Sequence, residues 1–360
     1  MGNRYQSVYI IAEVGVNHNG SVEMAKELID KAAAAGADAV KFQTFKARRV
    51  VSRFAPKADY QKETTGAGES QLAMIRRLEL DEEAQRLLAE HCRGGKIEFL
   101  SSPFDVDSVD FLVQELDLRR IKIPSGEITN GPYLLHVAKT GRPVILSTGM
   151  STLAEIETAL GVLAFGYLSR PVEPSRDNFR AAYCSEDGQA FLRERVTLLH
   201  CTTEYPAPFE EANLKAMNTM RTAFGLPVGL SDHTVGIAVP IAAVALGAVV
   251  IEKHFTLDRE LPGPDHKASL EPEELKAMIG SIRQVEAALG SGLKIPTPGE
   301  LKNREIARKS LVAAKRIPRG EALLPEHITA KRPGTGIAPM MYWDVLGQAA
   351  KKDYDEDEII

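Results

Sequence analysis

The sequence has no uninterrupted apolar run of about 18 residues, the length that a membrane-crossing helix requires. Its longest apolar stretch, Ile237 to Ile251, is broken by Pro240 and Gly247. Cysteine is scarce: Cys92, Cys184 and Cys201 are an odd number and form no CxxC pair. A disulfide framework and a zinc knuckle are both unsupported by that spacing. No block of Lys and Arg occurs and the net charge is −5, which argues against nucleic acid as the main ligand, because phosphate-backbone binding needs clustered cations. The amino terminus, MGNRYQSVYI, lacks the apolar core and cleavage site of a secretory signal, and its match to the short myristoylation pattern is read as coincidence. These absences together describe a cytoplasmic protein without a membrane span.

What is present is a core. Hydrophobic residues make up 44% of 360, enough for one large domain and a small one. Eight short β-rich runs recur at the interval of a βα unit: VYIIAEVGV, AVKFQTF, IEFLSS, RIKIPS, PVILSTG, TLLHCTT, PVGLSDH and VVIEKHF. Helical segments lie between them, such as Val22 to Ala35 behind a Ser21 cap and Asp81 to Arg93 with its acidic start. Strands apolar along nearly their whole length are covered on both faces, as in a parallel sheet. Eight such units in succession predict a (β/α)8 TIM barrel, with a doubly wound open sheet as the alternative.

The barrel domain is expected to span residues 1–290 and a Gly-, Pro- and Lys-rich linker 291–305. A small, mostly β module follows at 306–360, with SLVAAKRI and ALLPEHI as strand-like pieces. The extra segment 167–195 precedes the sixth strand and is assigned to the face opposite catalysis, in a structural or oligomer-contact role. The long loop after the second strand, Lys46 to Gln71 with Tyr60, Gln61, Thr64 and Thr65, belongs to the catalytic face.

Polar residues cluster at the strand ends, where a barrel carries its chemistry. His233 and His254 end the seventh and eighth runs. Two neutral imidazoles there can hold a divalent metal and leave positions for water or substrate, although each His could equally be a satisfied polar residue at a strand end. Lys41 and Lys122 lie inside strand-like runs, where burial is costly unless the charge meets an anion. With the hydroxyls of Ser102, Ser125, Ser147 and Ser231 they form a set able to surround a phosphate. Glu13 and Glu127 are candidates for proton transfer. Their alternatives are a structural ion pair with Lys41 for Glu13 and a helix cap for Glu127.

The strings IAEVGVNHNG, VKFQTF, SSPFD, KIPSGE, ILSTGMS, LLHCTTEYPAP, GLSDHT, EKHFTLD and PGPDH resemble the sialic acid synthase family, in order and over nearly the whole chain. KRPGTGI resembles that family's antifreeze-like (SAF) domain. The resemblance implies a barrel joined to this small β domain. It also implies a phosphoenolpyruvate-dependent synthase that attaches the enolpyruvyl C3 to the aldehyde carbon of an open-chain, N-acylated mannosamine-type sugar. It implies a divalent metal, Mn²⁺ with Mg²⁺ or Co²⁺ as alternatives, on His233 and His254. Lys41, Lys122, Ser102, Ser125, Ser147 and Ser231 match positions that contact phosphoenolpyruvate. Gln43, Glu13, Glu127, Tyr205 and Asp265 match positions that orient the sugar or the attacking water. A homodimer is implied as well, in which the small domain caps the partner's site and Arg332 reaches the sugar. Thr203 stands where N-acetylneuraminate synthases can show Asn. With SGEITN, YQKETT and DHKASLEPEEL, it makes the chain similar to bacterial synthases of N,N'-diacetyllegionaminic acid, whose sugar is 2,4-diacetamido-2,4,6-trideoxymannose. N-acetylmannosamine is the alternative sugar. A metal-dependent barrel aldolase or hydrolase accounts for the histidines but not for the Lys and Ser set. An ice-binding role predicts a repeated Thr-rich face, which the segment after Ile306 lacks.

Overall fold

The computed structural model describes residues 7–57 and 68–360. Eight parallel strands run in the order β3-β2-β1-β8-β7-β6-β5-β4. They are β1 (Tyr9–Gly15), β2 (Ala39–Thr44), β3 (Glu98–Pro103), β4 (Ile121–Ile123), β5 (Val144–Ser147), β6 (Val196–His200), β7 (Val228–Asp232) and β8 (Val250–His254). β1 pairs with both β2 and β8, and β3 lies beside β4, so the sheet rolls into the expected barrel.

Strand alternation sorts the side chains into layers. Ile11, Ala39, Leu100, Ile145, Leu199 and Val250 point inward and form one apolar layer of the barrel interior. Their strand neighbours Ile10, Val40, Leu146, Leu198 and Ile251 point outward into the larger core beneath the helices. Two residues further along each strand, the inward face turns polar: Glu13, Lys41, Ser102, Ser147, Cys201 and Glu252. Thus the period of two that builds the hydrophobic plug also lifts these polar groups onto its upper surface.

The covering helices begin where the sequence places their caps. Ser21 Oγ accepts from Met24 N at the start of the helix Val22–Ala35, and Asp81 caps the helix Glu82–Gly95. The extra segment forms two helices, Arg176–Tyr183 and Glu186–Arg195, stacked on the helix Leu153–Leu168. Phe179 meets Phe165 edge to face at 5.1 Å. This extra layer explains why the helix Leu153–Leu168 is apolar nearly all round rather than on a single stripe. The segment therefore thickens the helical layer.

The chain divides into two compact units, Met1–Leu289 and Gly290–Ile360. Part of the stretch expected to be linker is helical, Pro298–Ala307, opened by a capping box between Thr297 and Glu300. The second unit pairs β9 (Ser310–Ala313) with β10 (Ile328–Lys331) antiparallel, around a core that includes Leu311, Ile317, Leu323 and Tyr354. Within ALLPEHI, Pro325–His327 is a 3₁₀ turn rather than a strand, and β10 starts directly after it. Among the described residues, no helix is long and apolar enough to cross a membrane.

Candidate active site

The polar layer closes into a charged ring. Lys41 Nζ lies 2.8 Å from Glu13 Oε2 and 3.6 Å from Glu252 Oε2, and it donates to Ser102 Oγ at 3.1 Å. Lys122 Nζ is 3.3 Å from Glu252 Oε1, to which Ser231 Oγ also donates at 2.8 Å. All six side chains are buried.

Burial alone would push both carboxyls up. At Glu252 the two ammonium groups and the Ser231 hydroxyl outweigh it and hold the carboxylate down at about 2. Glu13 has Lys41 close on one side only and the negative Glu252 nearby, so burial wins and its carboxyl rises to about 7. Glu13 is thus the carboxyl of the pair that gains a proton first. Burial lowers Lys122, while Lys41, between two carboxylates, is held above the usual lysine range in spite of burial. Ser147 Oγ is buried without a hydrogen-bond partner among the described residues, an open donor beside the ring.

His233 and His254 stand at the same end of neighbouring strands, ring centroids 5.4 Å apart, with the Tyr205 ring 4.2 Å from His233 and 5.5 Å from His254. Burial drives His233 down to about 4 and His254 well below the usual imidazole range, so both rings are neutral and able to ligate. His233 Nδ1 is 2.5 Å from the Thr202 carbonyl, which makes it the protonated nitrogen and leaves the Nε2 lone pair directed into the site. His254 Nδ1 is buried without a hydrogen-bond partner among the described residues. One oriented imidazole and one orphaned imidazole nitrogen are a donor set that fits a divalent cation. Among the described residues, no three ligand-type side chains converge.

Above the ring is a cavity of about 440 Å³. Glu13, Lys41, Gln43, Ser102, Lys122, Ser125, Ser147, Thr203, Tyr205, Ser231, His233, His254 and Asp265 all line it. Gly15 turns at φ 55°, and a Cβ there would sit 3.1 Å from Glu13 Oε1 and 3.4 Å from Gln43 Nε2. Gly149 N donates to Ser125 Oγ at 3.0 Å, and Ser125 Oγ is 3.2 Å from Cys201 Sγ. A Cβ on Gly149 would fall 2.4 Å from Thr203 Oγ1 and 2.8 Å from Ser125 Oγ, so these loops meet only because that side chain is absent. Asp265 is tied back to the turn after β1 through Asn17, whose Nδ2 donates to Ser269 Oγ at 2.9 Å, while Ser269 Oγ donates to the Asp265 carbonyl at 2.7 Å. Burial raises the Asp265 carboxyl to about 6.

One expected residue is placed apart from the cavity. Glu127 does not line the cavity; its carboxylate accepts from Asn130 Nδ2 at 2.7 Å, and Asn130, not Glu127, caps the helix Gly131–Lys139. Arg332 belongs to the second unit, where its Nε donates to the Ala307 carbonyl at 3.1 Å. Tyr60, Gln61, Thr64 and Thr65 lie outside the described residues. Two residues of the inward polar layer were not anticipated as site residues. Glu252 is the centre of the ring, and the signal for it was the same as for the lysines: a charge inside the apolar run VVIEKHF. Cys201 had no such signal.

Residues 28–294 match the NeuB family and residues 308–360 the SAF domain. Over 351 residues the chain is 53% identical to an N,N'-diacetyllegionaminic acid synthase of Campylobacter jejuni, covering 98% of each. It is 47% identical to one of Legionella pneumophila, covering 94% of this chain and 89% of that protein. Among solved structures, an N-acetylneuraminic acid synthetase of Leptospira borgpetersenii in complex with citrate superposes with a TM-score of 0.66 at 32% identity, covering 83% of this chain and 90% of that one.

Proposed function

This chain belongs to the NeuB family, and from that membership we propose that it condenses phosphoenolpyruvate with open-chain 2,4-diacetamido-2,4,6-trideoxymannose and water, giving N,N'-diacetyllegionaminate and phosphate. The carrying observation is the buried ring of Lys41, Lys122 and converging hydroxyls beside two neutral imidazoles. An aldolase or hydrolase without phosphoenolpyruvate has no use for two buried ammonium groups among serines.

Lys41 and Lys122, with Ser102, Ser125, Ser147, Ser231 and the Gly149 amide region, bind the phosphate and carboxylate of phosphoenolpyruvate. The enolpyruvyl C3 forms a bond to the sugar C1, whose carbonyl oxygen takes a proton and becomes a hydroxyl. Water adds to C2, and the resulting tetrahedral carbon expels phosphate to leave the 2-keto acid. Glu13, at about 7, is placed to hold or release a proton near neutral pH. Gln43, Tyr205 and Asp265 orient the sugar and the incoming water. His233 and His254 would hold a divalent cation, Mn²⁺ by our reading with Mg²⁺ or Co²⁺ as substitutes, which when bound would supply Lewis-acid polarisation of the sugar aldehyde.

We read the assembly as a cytoplasmic homodimer in which the partner's second unit covers the cavity mouth and Arg332 reaches the sugar. Exposed Phe54, Met150, Phe209 and Val235, on segments after β2, β5, β6 and β7, support a protein surface covering that mouth.

The test is phosphate release on mixing the protein with phosphoenolpyruvate, Mn²⁺ and the diacetamido sugar, with N-acetylmannosamine in parallel and a chelator as control. Faster release with the diacetamido sugar is expected. Faster release with N-acetylmannosamine reassigns the sugar, and no release with any mannosamine derivative overturns the reading.

A further inference from the structure

The cavity has two chemically different sides. Its floor is the strand-end ring of charges, hydroxyls and imidazoles. Among the described residues, one wall is mainly apolar: Phe45, Val50, Met74, Ile75 and Leu78, from the segment that follows β2, with Gln71 beside them at the start of the same helix. Ser70 Oγ accepts from Ala73 N and starts the helix Gln71–Arg77, which presents Met74 and Ile75 to the cavity one residue apart, with Leu78 at its carboxy-terminal cap. Met74 and Leu78 also line a second hollow of about 450 Å³, shared with Asn19, Arg77 and Gly263. The two side chains are therefore a partition with space on both sides.

We propose that this wall sets sugar specificity by receiving the end of the sugar remote from the aldehyde, and that it selects for methyl and acetamido groups over hydroxyls there. This rests on the synthase reading, which commits the aldehyde to the imidazoles and leaves C4 to C6 for the remaining lining of the cavity. A hydroxyl pressed against Ile75 and Leu78 loses its water and finds no partner on them, at a cost of about 1–3 kcal/mol. A 6-deoxy methyl or the methyl of a C4 acetamido gains by the same burial. The space behind Met74 and Leu78 gives a bulky C4 substituent room without overpacking. The polar floor makes no such distinction, because it meets only phosphoenolpyruvate, the aldehyde and the water.

The experiment compares kcat/KM for three sugars, all with phosphoenolpyruvate and Mn²⁺: the diacetamido trideoxy sugar, N-acetylmannosamine and its 6-deoxy analogue. The wild-type order should be diacetamido first, 6-deoxy second and N-acetylmannosamine last. In Leu78→Gln the preference for the diacetamido sugar over N-acetylmannosamine should shrink by about tenfold or more, the scale of one or two methyl groups in an apolar pocket, with the KM for phosphoenolpyruvate changed less than twofold. Ile75→Thr, which replaces the ethyl branch by a hydroxyl, should move the ratio in the same direction and serves if Leu78→Gln does not fold. An unchanged sugar ratio in a folded, active variant overturns the wall while leaving the synthase reading intact. A wild-type protein that turns over none of the three sugars overturns both.

Discussion

Replacing Glu252 by Gln tests the electrostatics of the ring without changing its shape. Glutamine can still accept from Ser231, but Lys41 and Lys122 are left with Glu13 alone, which burial pushes towards its neutral form. The carboxyl of Glu252 lies at about 2 against an ordinary 4.5, a difference worth about 3 kcal/mol. Breaking one side of a buried ion pair typically costs about 3–5 kcal/mol, so the two routes agree. Because the folded-state value is depressed, this stabilisation is present above pH 4.5 and is lost as the pH falls towards 2. At pH 7 the full deficit should appear as a drop of roughly 6–12 °C in the melting transition of the barrel unit. The deficit should narrow below pH 4.5. Inorganic phosphate should restore part of it, because an anion between the two lysines replaces the missing charge; a concentration of 100 times Kd returns about 2.7 kcal/mol. Differential scanning calorimetry at pH 7, with and without phosphate, reads both effects. A melting point within 2 °C of wild type, unaffected by phosphate, would show that Glu252 is not what neutralises the lysines.

Three further outcomes are expected. The kcat/KM for the sugar should rise through about pH 7 as Glu13 loses its proton, and a pH–rate profile of Glu13→Gln should lack that inflection; His233, at about 4, and His254, lower still, titrate below this range. Gly149→Ala places a methyl 2.4 Å from Thr203 Oγ1 and 2.8 Å from Ser125 Oγ; steady-state kinetics should show the KM for phosphoenolpyruvate raised about tenfold or more, and an unchanged KM would remove Ser125 from the phosphoenolpyruvate site. Arg332→Ala should lower turnover at least about a hundredfold while light scattering still reports a dimer, and wild-type turnover would refute the reach of Arg332 into the partner's site.

The barrel was legible because its strands are buried on both faces and therefore read as unbroken apolar runs, and because Ser21 and Asp81 mark helix starts by chemistry that needs no tertiary context. The helix Pro298–Ala307 was legible too, in the Thr297-to-Glu300 capping box with proline at its first position, but the surrounding Gly and Pro outweighed that short signal. Lys41 and Lys122 stood out as charges inside apolar runs. Glu252 carried the same mark, yet it sits next to Lys253, a second charge that is also buried. In the fold they face opposite ways: Glu252 enters the ring, while Lys253 points outward to Asp232, 2.6 Å away. Which of two adjacent charges faces the barrel interior depends on register, and no local pattern encodes it when both faces are buried. Glu127 was misleading for a related reason, since a polar residue after a strand looks the same whether it faces the cavity or a helix start.

The separation between strand-end floor and helical wall bears on how new specificities arise. Residues of the floor are fixed by ladder hydrogen bonds on two sides, so altering one disturbs its neighbours around the whole ring. Met74 and Ile75 ride on a seven-residue helix outside that ladder, with Leu78 at its cap. Substitutions there are expected to change sugar choice with little effect on the ring. Exchanging this segment between relatives is thus a direct way to obtain synthases for other nine-carbon acids from one catalytic frame, and a library confined to Val50, Ile75 and Leu78 would sample sugar choice while leaving the bond-forming apparatus intact.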